Sequence, residues 1–68
     1  MTQPTDEALG VALRTLRKTV GMTLDDVSRA AGISGPYLSN VESGKVRPTA
    51  DWVRTVMAAI GSQIRDAA

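Results

Sequence analysis

The sequence contains neither cysteine nor histidine. Disulfide bonds, thiolate or imidazole metal sites and nucleophilic catalysis by Cys or His are therefore excluded. No apolar run approaches the roughly 18 residues that span a bilayer, and the N-terminal segment MTQPTDEALG is acidic where a secretion signal is basic. We therefore expect a cytoplasmic protein that is not an enzyme, binds no metal or cofactor and does not enter a membrane.

The chain has 68 residues, enough for one domain that must be compact and rich in helix to bury an adequate core. A domain of this size leaves no room for a ligand cavity, so we expect no small-molecule ligand. Charge is nearly balanced, with eight Lys and Arg against seven Asp and Glu. Residues 8–60 hold seven basic and four acidic side chains, a modest basic bias that by itself is weak evidence for nucleic-acid binding.

Four segments combine apolar residues at helical spacing with a preceding Ser or Thr that can cap a helix. The predicted caps are Thr5, Thr23, Ser34 and Thr49. Each segment ends near a glycine, the residue that best tolerates the left-handed conformation of a helix end. These glycines are Gly21, Gly32, Gly44 and Gly61. The sequence therefore predicts four helices and a short tail over residues 62–68.

Apolar stripes on these helices predict the core. The stripes are Leu9, Leu13, Leu16 and Val20, then Leu24, Val27 and Ala31, then Leu38 and Val41, and finally Val53, Val56, Met57 and Ile60. Asp26 follows Thr23 by three residues, which predicts an approximate capping box at the start of the second helix. Trp52 is expected to pack on the core or to be partly exposed.

The second and third predicted helices are separated by only three or four residues, including Gly32. A corner this tight between two short helices is typical of a helix-turn-helix. Gly35 and Pro36 mark the start of the third helix, because proline is tolerated in a first helical turn. The N-cap is either Ser34 or Gly35, since the residue before a proline is biased away from the helical conformation.

The outer side of the third helix carries no charge. If Leu38 and Val41 face the core, small and weakly polar side chains lie on the opposite side, namely Pro36, Ser39, Asn40 and Ser43. An ordinary surface helix would carry Lys or Glu there. Such a bare surface suits close approach to a polar and crowded partner such as the floor of a DNA major groove.

Two longer motifs occur in register. T-x-x-x-V-S-x-x-A-G-I begins at Thr23, and S-x-x-x-L-S-x-V-E-x-G-x-x-x-P runs from Ser34 to Pro48, with Leu16 and Arg17 upstream. In these motifs the sequence resembles the phage repressor and Cro-type (Xre-like) helix-turn-helix family. The resemblance implies an all-α fold, a compact four- to five-helix bundle of the λ-repressor-like DNA-binding type, whose third helix lies in the major groove of double-stranded DNA.

The resemblance also implies which residues read bases. Asn40 matches a base-contacting position, and its amide can accept from adenine N6 and donate to N7. The other predicted base-reading residues are Ser34, Gly35, Pro36 and Ser39. Purely structural interpretations stay open, with Asn40 as a solvated residue, Gly35 as a requirement of backbone geometry and Ser39 as a spacer.

Predicted contacts to the DNA backbone surround this helix. Lys45 and Arg47 match the loop that grips phosphates in resembling proteins. The remaining members of this set are Thr23, Tyr37, Ser43 and Arg17. Tyr37 has two interpretations, a hydroxyl on a phosphate or a ring that covers the core, and Ser43 is either a contact or a spacer.

Arg17 and Glu42 match a partly buried ion pair in resembling proteins. The pair would tie the first helix to the end of the third and aim Arg17 at a phosphate. Breaking one partner of such a pair is costly, whereas the intact pair adds little net stability. We therefore expect Glu42 to act on DNA binding through the stability of the domain.

These observations predict a single helix-turn-helix domain over residues 1–68, with the motif at about residues 23–43. Its predicted function is that of a sequence-specific transcriptional regulator, a phage-type repressor or Cro-like protein that occludes an operator. A homodimer on DNA stays open, because the family's fifth helix is missing or reduced to the tail. The alternative is an antitoxin-type interaction module that also binds its operator.

Overall fold

The computed structural model describes residues 5–67, which form four α-helices. They are α1 (Asp6–Thr19), α2 (Leu24–Ala31), α3 (Gly35–Glu42) and α4 (Ala50–Ala67). No strand occurs among these residues, so the predicted all-α class is confirmed. Residues 1–4 and 68, the ends of the predicted domain, lie outside the described part of the chain.

All four predicted N-caps are confirmed. In each case the hydroxyl oxygen of the cap accepts a hydrogen bond from the backbone N–H three residues later, at 3.0 to 3.3 Å. At the start of α3 the cap is Ser34, which has an extended backbone and accepts from the N–H of Tyr37, so Gly35 is the first helical residue. These bonds satisfy backbone donors that a helix start otherwise leaves without a partner.

Three of the four predicted helix ends are also confirmed. Gly21, Gly32 and Gly44 follow α1, α2 and α3, and each adopts a positive φ of 68° to 78°. After α3 the N–H of Lys45 donates to the carbonyl of Asn40 at 2.9 Å and that of Gly44 to Val41 at 3.0 Å. This is the Schellman pattern that closes a helix on a left-handed residue.

The predicted helix end at Gly61 is wrong. α4 continues through Gly61 to Ala67, so residues 62–67 of the predicted tail are helical. Gly61 does not take a positive φ, and the following residues supply helix formers that continue the hydrogen-bonded turns. Neither α4 nor another helix within residues 5–67 combines the length and apolar content needed to cross a bilayer.

The core lies where the four helices meet. Its buried apolar side chains are Leu13, Met22, Val27, Leu38, Val41, Val56 and Ile60. The prediction that Met57 faces the core is wrong, because its side chain is 43% exposed. α4 turns Val56 and Ile60 inward, which rotates Met57 toward solvent.

A close approach between α1 and α3 completes the packing. Gly10 is buried, and a Cβ added to it would lie 2.4 Å from the carbonyl oxygen of Val41 and 2.5 Å from that of Glu42. Only a glycine lets the two backbones come this near. α1 therefore crosses directly over the C-terminal end of α3 and fixes its position in the domain.

Candidate nucleic-acid interface

α2 and α3 form the predicted helix-turn-helix, joined at Gly32, Ile33 and Ser34. The N–H of Ile33 donates to the carbonyl of Ser28 at 2.9 Å, and Ser28 is itself buried beneath the start of α3. Val27 and Leu38 are fully buried and hold the two helices together from below. The angle at which α3 is presented is therefore set by packed side chains and by a hydrogen-bonded turn.

Neither a crowded neighbour nor a positive φ requires glycine at position 35. A Cβ added there would lie 3.8 Å from Ser28 Oγ, which is an ordinary contact, and its φ is not positive. The structural interpretation of this residue, backbone geometry, stays open, because Gly35 is helical and directly precedes Pro36, where a Cβ is disfavoured. Because Gly35 has no side chain, the start of α3 has a small cross-section.

The outward side of α3 is exposed, as the sequence pattern predicts. Pro36, Ser39, Asn40 and Ser43 are all exposed, whereas Leu38 and Val41 are buried. The Asn40 side chain is exposed and its amide makes no hydrogen bond within residues 5–67, so its donor and its acceptor are both available to a partner. Ser43 differs, because its hydroxyl donates to the carbonyl of Ser39 at 2.9 Å and would have to rotate to donate to a phosphate.

Tyr37 packs edge-on against Trp52. The two ring centroids are 5.3 Å apart with an interplanar angle of 65°, a favourable arrangement for aromatic pairs. Both residues are half-buried against the core, so the core-covering interpretation of Tyr37 is confirmed and Trp52 packs as expected. A contact between the Tyr37 hydroxyl and a phosphate stays a prediction.

Arg17 and Glu42 form the predicted ion pair. Arg17 Nε and Nη2 donate to the two carboxylate oxygens of Glu42 at 2.8 and 2.9 Å, and Nη1 donates to the carbonyl of Met22 at 2.9 Å. The two side chains are only 9% and 7% exposed. The hydrogen bonds to Glu42 raise the pKa of Arg17. Three donors are thus engaged inside the protein, and a phosphate contact by Arg17 stays a prediction.

Arg14 lies beside α3, a placement that the sequence reasoning missed. It lines a surface hollow together with Arg17, Leu24, Ser39, Glu42 and Ser43. Arg17 and Glu42 neutralise each other. The remaining charge in the hollow is therefore that of Arg14, which lies near the side chains of Ser39 and Ser43. The sequence did contain an indication of this placement. Arg14 precedes Arg17 by one helical turn, so both side chains lie on the same side of α1.

The start of α2 carries the predicted capping box. Thr23 Oγ1 accepts from the N–H of Asp26 at 3.0 Å, and the N–H of Thr23 donates to Asp26 Oδ2 at 2.9 Å. This backbone hydrogen bond, with smaller effects from the Thr23 hydroxyl and Arg29, lowers the pKa of Asp26. Arg29 also pairs with Asp25 at 3.0 Å, which reduces the negative charge near this helix start.

The loop after α3 carries the two predicted phosphate-gripping cations. Lys45 is exposed at the end of α3, whereas Arg47 donates through Nε to Asp6 Oδ1 at 2.9 Å. The Arg47 side chain is still 78% exposed, so this ion pair is screened by solvent and weak. A phosphate could compete with Asp6 for Arg47.

The candidate interface thus consists of the outward side of α3, with Lys45 at one end and Arg14 at its flank. A profile for a family described as "Helix-turn-helix domain" matches residues 8–67. The HTH-type transcriptional regulator DdrOP3 of Deinococcus deserti is 37% identical over 54 residues, and the match covers 79% of this chain and 42% of that protein. The transcriptional regulator ClgR of Mycobacterium tuberculosis is 35% identical over 54 residues, covering 79% of this chain and 48% of ClgR.

A solved structure is also similar. The clp gene regulator ClgR from Corynebacterium glutamicum superimposes with a TM-score of 0.81 at 35% identity, covering 96% of this chain and 85% of that one. The chain spans less than half the length of the curated relatives that it matches, between 36% and 48%. The similarity to those curated relatives therefore concerns less than half of each of them.

Proposed function

Because this chain belongs to the helix-turn-helix domain family, we propose that it binds double-stranded DNA sequence-specifically and regulates transcription. α3 would lie in the major groove and read base edges through Asn40, with Ser34, Gly35, Pro36 and Ser39 in close contact. The observation that carries this proposal is the outward side of α3, which is exposed, uncharged and held rigidly from beneath by buried side chains.

Charge at the edges of this surface supports the same proposal. Lys45 extends beyond the end of α3, and Arg14 lies beside Ser39 and Ser43 on its flank. Cations so placed can neutralise phosphates on either side of a groove while the uncharged helix enters it. Thr23, Tyr37 and Arg47 would add contacts to the DNA backbone around this surface.

The finer proposal is a phage repressor or Cro-type (Xre-like) protein that acts in the cytoplasm by occluding an operator, with one domain over residues 1–68. Two copies would place their recognition helices about 34–36 Å apart on successive turns of DNA. The second candidate function is an antitoxin-type module. It is favoured by the exposed apolar side chains on α4, a surface on which a protein partner could dock.

Selection of bound sequences from a random DNA pool tests the proposal. The expected result is enrichment of one short motif, and a palindromic motif would indicate that two copies bind. A protein that enriches no sequence, although it is folded by circular dichroism, would contradict sequence-specific binding and favour the interaction-module alternative.

Asn40→Ala should relax base preference at one position. The loss of a bidentate amide contact to adenine is expected to reduce discrimination at that base pair by about 1–3 kcal/mol. Gln63→Ala is the matched control, because it removes an exposed amide that lies in a hollow beside Asp26 and Arg29 of α2, and not on the outward side of α3. Binding to single-base variants of the selected site measures the effect, and equal losses on all variants would contradict a base-reading role.

Lys45→Ala and Arg14→Ala should each weaken binding to all duplexes similarly. Each neutralised phosphate contributes about 0.9 to the slope of log affinity against log salt, so each change should flatten that slope by about 0.9. Arg54→Ala removes one exposed cation from α4 and should leave the slope unchanged. A slope that is the same for all three variants would contradict phosphate contacts by Lys45 and Arg14.

A further inference from the structure

The first turn of α1 lies against the loop that follows α3. Asp6 Oδ1 accepts a hydrogen bond from Arg47 Nε at 2.9 Å, across 41 positions of the sequence. The backbone of Glu7 packs on Gly44, since a Cβ added to Gly44 would lie 3.0 Å from Glu7 Cα. A helix start that carries two carboxylates therefore lies next to the loop that carries Lys45 and Arg47.

The ion pair between Asp6 and Arg47 is open to solvent. The Arg47 side chain is 78% exposed, and within residues 5–67 only its Nε makes a hydrogen bond. Arg17 differs, because it is buried and three of its nitrogens donate to Glu42 and Met22. An anion that arrives from solvent can therefore reach the guanidinium of Arg47, whereas that of Arg17 is already engaged inside the protein.

Arg47 also has room to leave Asp6. Both side chains border an open hollow of about 540 Å³ between α1, the loop and the start of α4. The Arg47 side chain can move at the edge of this hollow without displacing a buried group. The pair contributes little to folding, because water screens its charges and two mobile side chains must be held in one geometry. Breaking it therefore costs the domain little.

The charge of Asp6 opposes a phosphate at Arg47. In the free protein the Asp6 carboxylate lies 2.9 Å from Arg47 Nε, so a phosphate on the same guanidinium would come close to that carboxylate. Two anions at such a separation repel each other. Arg47 must either leave Asp6 or share its charge between two anions, and each course lowers the affinity that a phosphate contact by Arg47 would supply.

We infer that Asp6 lowers the affinity of this domain for all duplex DNA, because it occupies Arg47 when no DNA is bound. The inference rests on the proposed function, since it concerns the contact of Arg47 with the DNA backbone. Base reading is left unchanged, because Asp6 and Arg47 both lie outside α3. Asp6 thus sets how tightly the domain binds any duplex, and not which sequence it prefers.

Asp6→Asn tests the inference, because asparagine keeps the size and the acceptor oxygen of aspartate and removes its charge. At low salt the affinity for the selected duplex, and for a duplex in which its motif is scrambled, should each rise about two- to fivefold, the range that an exposed ion pair supplies. The gain should shrink as salt is added, because salt screens exposed charges. Unchanged or weaker binding by a folded Asp6→Asn variant would overturn the inference.

Asp51→Asn is the matched control for Asp6→Asn. Asp51 also lies in the first turn of its helix and also pairs with an exposed arginine, Arg54, which is not expected to contact DNA. The control changes the net charge by the same amount and should leave the affinity unchanged. Equal gains in the two variants would assign the effect to net charge alone and overturn the inference.

The Arg47→Ala background shows whether Asp6 acts through Arg47. In that background Asp6→Asn should give no gain in affinity, because Asp6 then has no guanidinium to occupy. A gain that persists there would overturn the role assigned to the ion pair. Failure of the proposed function gives a different result, since the wild-type chain itself would then bind neither duplex, and both proposals would fall together.

Discussion

Gly10→Ala is expected to destabilise the domain by about 3 kcal/mol, the upper end of the usual cost of overpacking, although alanine favours helix over glycine by about 1 kcal/mol. The new methyl group would lie 2.4 Å and 2.5 Å from the carbonyl oxygens of Val41 and Glu42. These are backbone atoms at the end of α3, so they cannot rotate away as a side chain would. α1 and α3 must separate to admit the methyl group.

A loss of this size is large for such a small protein. Stability of about 0.05–0.15 kcal/mol per residue gives this chain roughly 3–10 kcal/mol in total. Gly10→Ala should therefore leave a substantial fraction of the protein unfolded and abolish DNA binding indirectly, because α1 holds the end of α3 in place.

Gly61→Ala is the matched control for Gly10→Ala. Both glycines lie inside helices, but a methyl group at Gly61 meets only the end of the Arg65 side chain. It should therefore stabilise the monomer by about 0.5–1 kcal/mol through helix propensity. Urea unfolding of both variants at low protein concentration measures the difference, and a Gly10→Ala variant as stable as the wild type would contradict the close approach of α1 to α3.

Glu42→Ala is expected to cost about 3–5 kcal/mol of stability, because it leaves the buried Arg17 guanidinium without its counter-charge. The pair is 9% and 7% exposed, so the Arg17 guanidinium is largely shielded from water in the folded domain. DNA affinity should fall together with the folded fraction. Thermal melting and DNA binding measured on the same sample test this coupling.

Two further variants distinguish the cost of burying an unpaired charge from the cost of losing an ion pair as such. Asp6→Ala breaks the pair with Arg47, whose side chain is 78% exposed, and should cost only about 0–1 kcal/mol. The double change Arg17→Met with Glu42→Leu removes both buried charges and should recover most of the stability lost in Glu42→Ala. A Glu42→Ala variant with wild-type stability but no DNA binding would show instead that Glu42 acts directly at the interface.

Local features of the fold were predictable because their causes are local. Thr5, Thr23, Ser34 and Thr49 act as N-caps through bonds to residues three positions away, and this spacing is readable in the sequence. The helix end at Gly61 was mispredicted for a related reason. A glycine ends a helix only when it adopts a left-handed conformation, and the residue type alone does not determine that.

Features that depend on distant contacts were not predictable. The role of Gly10 arises from the carbonyl groups of Val41 and Glu42, more than thirty residues away in the sequence. The exposure of Met57 depends on how α4 rotates about its axis when Val56 and Ile60 enter the core. For Arg14 the one-turn spacing from Arg17 was readable in the sequence, but its position beside Ser43 results from the crossing of α1 and α3.

Amide chemical shifts of the labelled protein, recorded during titration with its selected duplex, test most directly whether α3 enters the groove. The largest changes are expected at Ser39, Asn40, Ser43 and Lys45, on the outward side of α3 and just beyond it, and they should be much smaller with a duplex in which the selected motif is scrambled. Changes confined to α4, or equal changes with both duplexes, would contradict the proposed recognition surface.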